Sequence, residues 1–85
     1  MICMTNQETI KTFEQKEKEA LKELDQLTQI GQDLLDKLVD GKLSTDEWVT
    51  VTQELHQNAI DQKRASNYLA SYRQVLAVLN KMVGA

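Results

Sequence analysis

Apolar side chains recur along the chain at steps of three and four residues, the spacing that places them on one face of an α-helix. One run lies between about residues 5 and 40, and a second between about 45 and 83. The runs consist of Ile10, Phe13, Ala20, Leu24, Leu27, Leu34 and Leu38, and of Trp48, Val51, Leu55, Ala65, Leu69, Tyr72, Leu76, Leu79 and Val83. This pattern predicts an all-α protein built from two long amphipathic helices.

The segment between the two runs carries signals for ending one helix and starting another. Gly41 follows the first run, and glycine readily takes the left-handed conformation that closes a helix. Ser44 and Glu47 have the spacing of a capping box, which begins a helix. Because so few residues separate the two helices, we expect them to run antiparallel as a hairpin. Thr5 and Glu8 have the same spacing and predict the start of the first helix.

Folding the chain about this turn pairs positions whose residue numbers add up to about 86. Phe13 then faces Tyr72, and Leu27 faces the region of Asn58 and Ala59. Large side chains meet at the open end and small ones in the middle, which favours the hairpin. Gly31 interrupts the first apolar run without ending it. Either a close approach by a facing side chain or a slight bend of the helix would explain this glycine.

A second line of apolar residues follows the second helix outside the face that meets the first. Tyr68, Val75 and Met82 recur at seven-residue steps, and Val78 lies further round the helix. A hairpin has one internal interface, and an exposed apolar strip of this kind is unusual in a soluble monomer. We therefore predict a second interface, formed by Tyr68, Val75, Met82, Tyr72 and Leu79.

Two occupants of this second interface are considered. The simpler is a second copy of the chain, because a two-fold interface needs only one self-complementary patch, and the dimer would be a four-helix bundle. The other is a helix of a different protein. The alternative to both is that these residues are scattered surface apolar side chains with no common role.

Charge changes the picture only slightly. The sequence has 13 acidic and 10 basic residues, for a net charge of −3, which argues against a general nucleic-acid binder. The chain from Gln62 onward nevertheless carries no acid and four cations, Lys63, Arg64, Arg73 and Lys81. We expect the acidic first helix to neutralise this basic end. The alternative is a phosphate-binding strip in which Tyr68 and Tyr72 stack on bases.

The sequence offers little for catalysis or for metal binding. His56 is the single histidine and Cys3 the single cysteine, which leaves no zinc ligand set and no Cys-His or Ser-His-Asp arrangement. The acidic residues around the turn do not have the spacing of an EF-hand loop. We therefore expect no enzyme activity, no cofactor and no small-molecule substrate.

The cellular setting is predicted to be the cytoplasm. A single cysteine excludes an intramolecular disulfide, which fits a reducing compartment. No apolar run approaches the roughly 18 residues that a membrane-spanning helix needs. Residues 1–4 are expected to form a disordered leader before a single hairpin domain of residues 5–85.

In size and layout the chain is similar to several families of small helical hairpins. The turn Gly41-Lys42-Leu43 resembles the Gly-x-Leu turn of the small subunit of exonuclease VII, and the paired helices resemble the heterodimerising chaperones of type III secretion needles. These resemblances cover only the turn and the helical periodicity. They imply a helical hairpin and assign the chain to no family.

The expected function is that of a non-enzymatic protein-interaction module, an adaptor, chaperone or inhibitor that binds a partner helix through the apolar strip. One alternative is a structural homodimeric four-helix scaffold or a small accessory subunit of a larger enzyme complex. A further alternative is a nucleic-acid-binding module, whose affinity would fall steeply with salt.

Overall fold

The computed structural model describes residues 6–84 as two long helices joined by a short turn. Helix α1 spans Asn6–Asp40 and helix α2 spans Thr45–Gly84. The two pack against each other along their length as an antiparallel hairpin of about 60 × 25 × 13 Å. The predicted all-α hairpin is therefore confirmed. The predicted cap at Thr5 and the predicted leader of residues 1–4 lie outside the described residues.

The turn between the helices is built by its local sequence. Gly41 has a φ of +72°, in the left-handed region that favours glycine. The backbone N–H of Glu47 donates to Ser44 Oγ, and the backbone N–H of Ser44 donates to Glu47 Oε1, each at 3.2 Å. These two bonds are those of a capping box. The Ser44 hydroxyl and the Ser44 backbone N–H, both hydrogen-bonded to the Glu47 carboxylate, lower the pKa of Glu47 because they stabilise its charged form.

We call the interface between α1 and α2 the inner seam. Its buried residues are Ala20, Leu34, Val51, Asn58, Ala65, Leu69 and Leu76. Small side chains occupy its middle, where Ala20 and Ala65 are 7% and 4% exposed. Nearer the open end, the rings of Phe13 and Tyr72 lie 6.1 Å apart at an angle of 57°. This tilted arrangement is favourable for aromatic pairs.

A polar layer fixes the register of the inner seam. Asn58 Nδ2 donates to the backbone carbonyl of Leu27 at 2.8 Å, and Gln62 Nε2 donates to Asn58 Oδ1 at 2.6 Å. A Cβ atom on Gly31 would lie 2.5 Å from Asn58 Oδ1 and 2.9 Å from Gln62 Nε2. Gly31 therefore makes room for the Asn58 side chain, so the close approach is the explanation that the structure supports. Sliding one helix along the other would separate the buried Asn58 amide from the Leu27 carbonyl.

The tip of the hairpin is less well covered than the sequence suggests. The apolar pattern places Trp48 in the inner seam, but Trp48 is 53% exposed. It lies in the first turn of α2, and α1 ends at Asp40, so little of α1 is available to cover the indole. Val39, at the end of α1, is 85% exposed for the same reason.

Candidate protein-binding face

A second set of seam positions lies on the exposed side of α2. We call it the outer seam; its members, at successive steps of four, three, four, three and four, are Arg64, Tyr68, Ser71, Val75, Val78 and Met82. All six are exposed. The four apolar members, Tyr68, Val75, Val78 and Met82, have exposures of 55%, 36%, 54% and 58%. Alternating steps of three and four residues are the spacing by which one helix packs on another in a coiled coil.

The structure separates the five predicted interface residues into two groups. Tyr68, Val75 and Met82 lie together on the outer seam. Tyr72 and Leu79 are half-buried on the inner seam, where Tyr72 meets the ring of Phe13. Tyr72 also stacks on Tyr68, with ring centroids 6.2 Å apart at 18°. Tyr72 therefore lies beside Tyr68, between the two seams. That these residues form an interface with another helix remains a prediction.

Arg64 and Ser71 complete the outer seam but were not predicted as interface residues. Both residues are polar, so the pattern of apolar positions does not include them. Their spacing is the feature that identifies them. Ser71 lies between Tyr68 and Val75, and Arg64 lies four residues before Tyr68, at the end of the line. Both residues, together with Tyr68, line a shallow groove of about 440 Å³ on the outer face of α2. A partner side chain could enter this groove beside the Tyr68 ring.

Charged side chains border the outer seam on both sides. The α2 residues Lys63 and Arg64 line the same outer groove as Tyr68. On the opposite side, a groove of about 230 Å³ between the helices brings Lys16, Glu19 and Glu23 of α1 beside Tyr68. Near Tyr68, a partner that covers the seam would therefore meet the cation Lys63 along one border and side chains of both charges along the other.

One further cation of this region, Arg73, has a structural contact. Arg73 Nε donates to Glu17 Oε2 at 3.2 Å, so this pair joins the two helices across the inner seam. The expected neutralisation of the basic end by α1 is thus seen at one cation. Because the Arg73 side chain is 56% exposed, solvent screens the pair and its contribution to stability is small.

The exposed apolar residues of α1 do not form an equivalent seam. Leu21 and Leu35 are 41% and 44% exposed, but the helical position midway between them is Thr28, and Ile30, which is 50% exposed, lies outside this line. The Thr28 hydroxyl donates to the carbonyl of Leu24 at 2.8 Å, within its own helix. Among the helix faces that the structure describes, the outer seam is therefore the best candidate for binding another helix.

Other kinds of site were also considered. Within residues 6–84, no group of three or more His, Cys, Asp or Glu side chains is placed to hold a metal ion. His56 is exposed on α2. The two helices described by the structure are both too polar to cross a membrane. The predicted turn residues Gly41, Ser44 and Glu47 shape the tip of the hairpin, at the far end of the molecule from Met82.

Comparison with known proteins adds no assignment. No family model matches the chain, and no curated protein or solved structure matches it. Its function must therefore be inferred from its own residues, and the outer seam is the feature that the fold alone does not explain.

Proposed function

We propose that this protein is a non-enzymatic protein-binding module that holds a partner helix on the outer seam of α2. The observation that supports the proposal is the combination of coiled-coil spacing and exposure over Arg64 to Met82. Helix α1 covers the inner seam, and the outer seam has the same three- and four-residue steps. A third helix could insert its side chains there in the same way as α1 does on the inner seam.

The energetics of such a surface suit reversible binding. Covering about 400 Å² of apolar surface would contribute roughly 10 kcal/mol. The loss of translational and rotational freedom on association costs about 4 to 15 kcal/mol. The two terms are similar in size, so the proposed complex forms and dissociates with changes in concentration. An adaptor, a chaperone or an inhibitor that releases its partner needs this balance.

Tyr68 is the anchor of the proposed interface. Tyrosine combines a large apolar ring with a hydroxyl that can hydrogen-bond at the rim, and it is enriched among residues that dominate binding energy. Tyr68 is 55% exposed, and its ring stacks on that of Tyr72. A side chain that is already held in position loses less conformational entropy when it binds.

The single cysteine, Cys3, is consistent with action in the cytoplasm.

Site-specific photo-crosslinking tests this function. One variant carries p-benzoylphenylalanine in place of Tyr68, and a matched variant carries it in place of Gln53, an exposed residue of α2 near the tip. Both are expressed in the source organism, irradiated and analysed by mass spectrometry. We expect the Tyr68 position to crosslink to one helical segment and the Gln53 position to give no such product. Equal products from the two positions, or none from Tyr68, would show that the outer seam is not a binding face.

A further inference from the structure

We infer that the helix held on the outer seam is the outer seam of a second copy of this chain, lying antiparallel to the first. The inference rests on the proposed function, since it names the occupant of the same surface. It draws on the order of side chains along the seam, on the charges beside it and on the length of the hairpin.

The side chains of the outer seam match those of an antiparallel copy in size. An overlap that uses all six positions pairs residues whose numbers add up to about 146. Tyr68 then meets Val78 of the second copy, and Val75 meets Ser71 of the second copy. Met82 meets the long side chain of Arg64 from the second copy, whose methylene groups can cover the thioether. A shift by one heptad would leave two seam residues without facing partners, either Arg64 and Tyr68 or Val78 and Met82, depending on its direction.

The polar residues beside the seam also favour the antiparallel arrangement. Asn67, Gln74 and Lys81 follow the seam on its solvent side. In the antiparallel overlap, Gln74 lies near Gln74 of the second copy, Asn67 lies near Lys81 of the second copy, and Arg64 meets the uncharged Met82 of the second copy. A parallel pair would instead place Arg64 against Arg64. Like charges directly opposite each other oppose association.

The acidic residues at the tip point to the same orientation. Asp33, Asp36 and Asp40 lie in the last two turns of α1, close to the turn. A parallel pair would bring these two acidic tips side by side. The antiparallel pair places them at opposite ends of the assembly, where repulsion between them is screened at physiological salt.

The two orientations predict assemblies of different length. The overlap from Arg64 to Met82 spans about 27 Å at 1.5 Å per residue. Two hairpins of 60 Å that share this overlap form a particle about 90 Å long, with four helices in its middle and one hairpin tip at each end. A parallel dimer would keep the 60 Å length of one hairpin.

Sedimentation equilibrium and small-angle X-ray scattering on the full chain at tens of micromolar test the inference together. We expect a dimer with a maximum dimension of about 90 Å. A monomer throughout this range, or a dimer about 60 Å long, would overturn it. If the chain is a monomer while the crosslinker at position 68 captures a different protein, self-docking is wrong and the proposed function stands. If that crosslinker captures nothing either, both are wrong.

Substitutions locate the interface. Val75→Glu should weaken dimerisation by at least about 100-fold, because it places a charge in the middle of the seam. Val49→Glu makes the same chemical change at an exposed valine near the tip, 44% exposed, and should leave the dimer intact. Circular dichroism confirms that both variants remain helical. A dimer that withstands Val75→Glu contradicts the inference.

A gain in affinity provides a test that does not depend on disrupting the protein. Ser71→Leu adds apolar surface opposite Val75 of the second copy and should tighten the dimer by about tenfold. Ser66→Leu, at an exposed serine outside the outer seam, serves as the control and should have no such effect. If the two leucine variants change the dissociation constant equally, the predicted pairing is wrong.

Discussion

Helix α2 carries two seams with the same spacing, and they differ in what covers them. On the inner seam Ala65 and Leu69 are 4% and 5% exposed, whereas on the outer seam Tyr68 and Met82 are 55% and 58% exposed. The inner seam alternates small and large residues that fit α1 and contains a hydrogen-bonded amide, Asn58. Within residues 6–84, no helix faces the bulky members of the outer seam. The inner seam therefore carries the stability of the fold, and we expect changes on the outer seam to affect association instead.

The largest expected difference between the seams comes from placing a carboxylate on each. Asn58→Asp replaces the amide that donates to the Leu27 carbonyl with an acceptor, at a site that is 5% exposed. We expect a loss of about 3 kcal/mol in unfolding free energy at neutral pH. Asn67→Asp, the matched change beside the outer seam, should cost less than about 0.5 kcal/mol. Urea denaturation of both variants measures the difference.

The pH dependence of this pair of variants provides a second check. Burial, together with repulsion from the facing Leu27 carbonyl oxygen, raises the pKa of the introduced carboxyl at position 58 above its value in the unfolded chain, about 3.9, although Gln62 Nε2 can still donate to one of its oxygens. The destabilisation should therefore be absent below that value and grow as the pH rises through it. A penalty that is the same at pH 3 and pH 7 would mean that the carboxylate is not buried.

Gly31→Ala tests the polar layer of the inner seam. Alanine favours the helix by about 1 kcal/mol over glycine, but its Cβ would lie 2.5 Å from Asn58 Oδ1. We expect a net loss of about 1 to 2 kcal/mol, because the amide must move away from the Leu27 carbonyl. In an Asn58→Ala background the same substitution should instead stabilise the protein by about 1 kcal/mol. A double-mutant cycle by thermal unfolding measures this change of sign; stabilisation in both backgrounds would contradict the close approach.

Ser44→Ala removes the cap at the start of α2, which both seams share. We expect a loss of about 1 kcal/mol in unfolding free energy. The pKa of Glu47 is lowered from its ordinary value of 4.5 by its hydrogen bonds with Ser44, so its contribution is present above that value and is lost as the pH falls through the lowered pKa. Thermal melts between pH 2 and 7 should show a weaker acid dependence in the variant; an unchanged dependence would exclude this role of the cap.

The smallest expected effects separate two arginines of α2. Arg73→Ala breaks the ion pair with Glu17, which is partly exposed, and should cost less than about 1 kcal/mol in stability. Arg64→Ala, on the outer seam, should leave stability unchanged and weaken association. Chemical denaturation and sedimentation on both variants check this division. It fails if Arg64→Ala lowers stability as much as Arg73→Ala does.

Features that depend on neighbouring residues in the chain were predictable from sequence. The turn is an example, because Gly41, Ser44 and Glu47 specify it through their own backbone and side-chain bonds. The pairing of Leu27 with Asn58 also follows from the position of the turn. The reason for Gly31 did not follow, since it depends on the orientation of an amide on the other helix.

The candidate site was only partly predictable. The apolar members of the outer seam follow from their spacing, but Tyr72 and Leu79 were assigned to it although they lie half-buried on the inner seam. Two neighbouring lines of residues on one helix differ by a small rotation about the helix axis. The sequence alone therefore does not decide to which line a residue between them belongs. Trp48 was assigned to the inner seam but is largely exposed. At the end of a helix, the other helix can offer too few residues to cover an apolar side chain.

The most direct test of the outer seam as a binding face is thiol labelling in the native cell. In a Cys3→Ser background, Val75→Cys and Val49→Cys place a thiol on the outer seam and outside it, at positions that are 36% and 44% exposed. In dilute purified protein we expect the two thiols to react with a maleimide at similar rates. In the cell, the thiol at position 75 should react at least about tenfold more slowly, because a bound helix covers it. Equal rates in the cell would contradict a binding role for the outer seam.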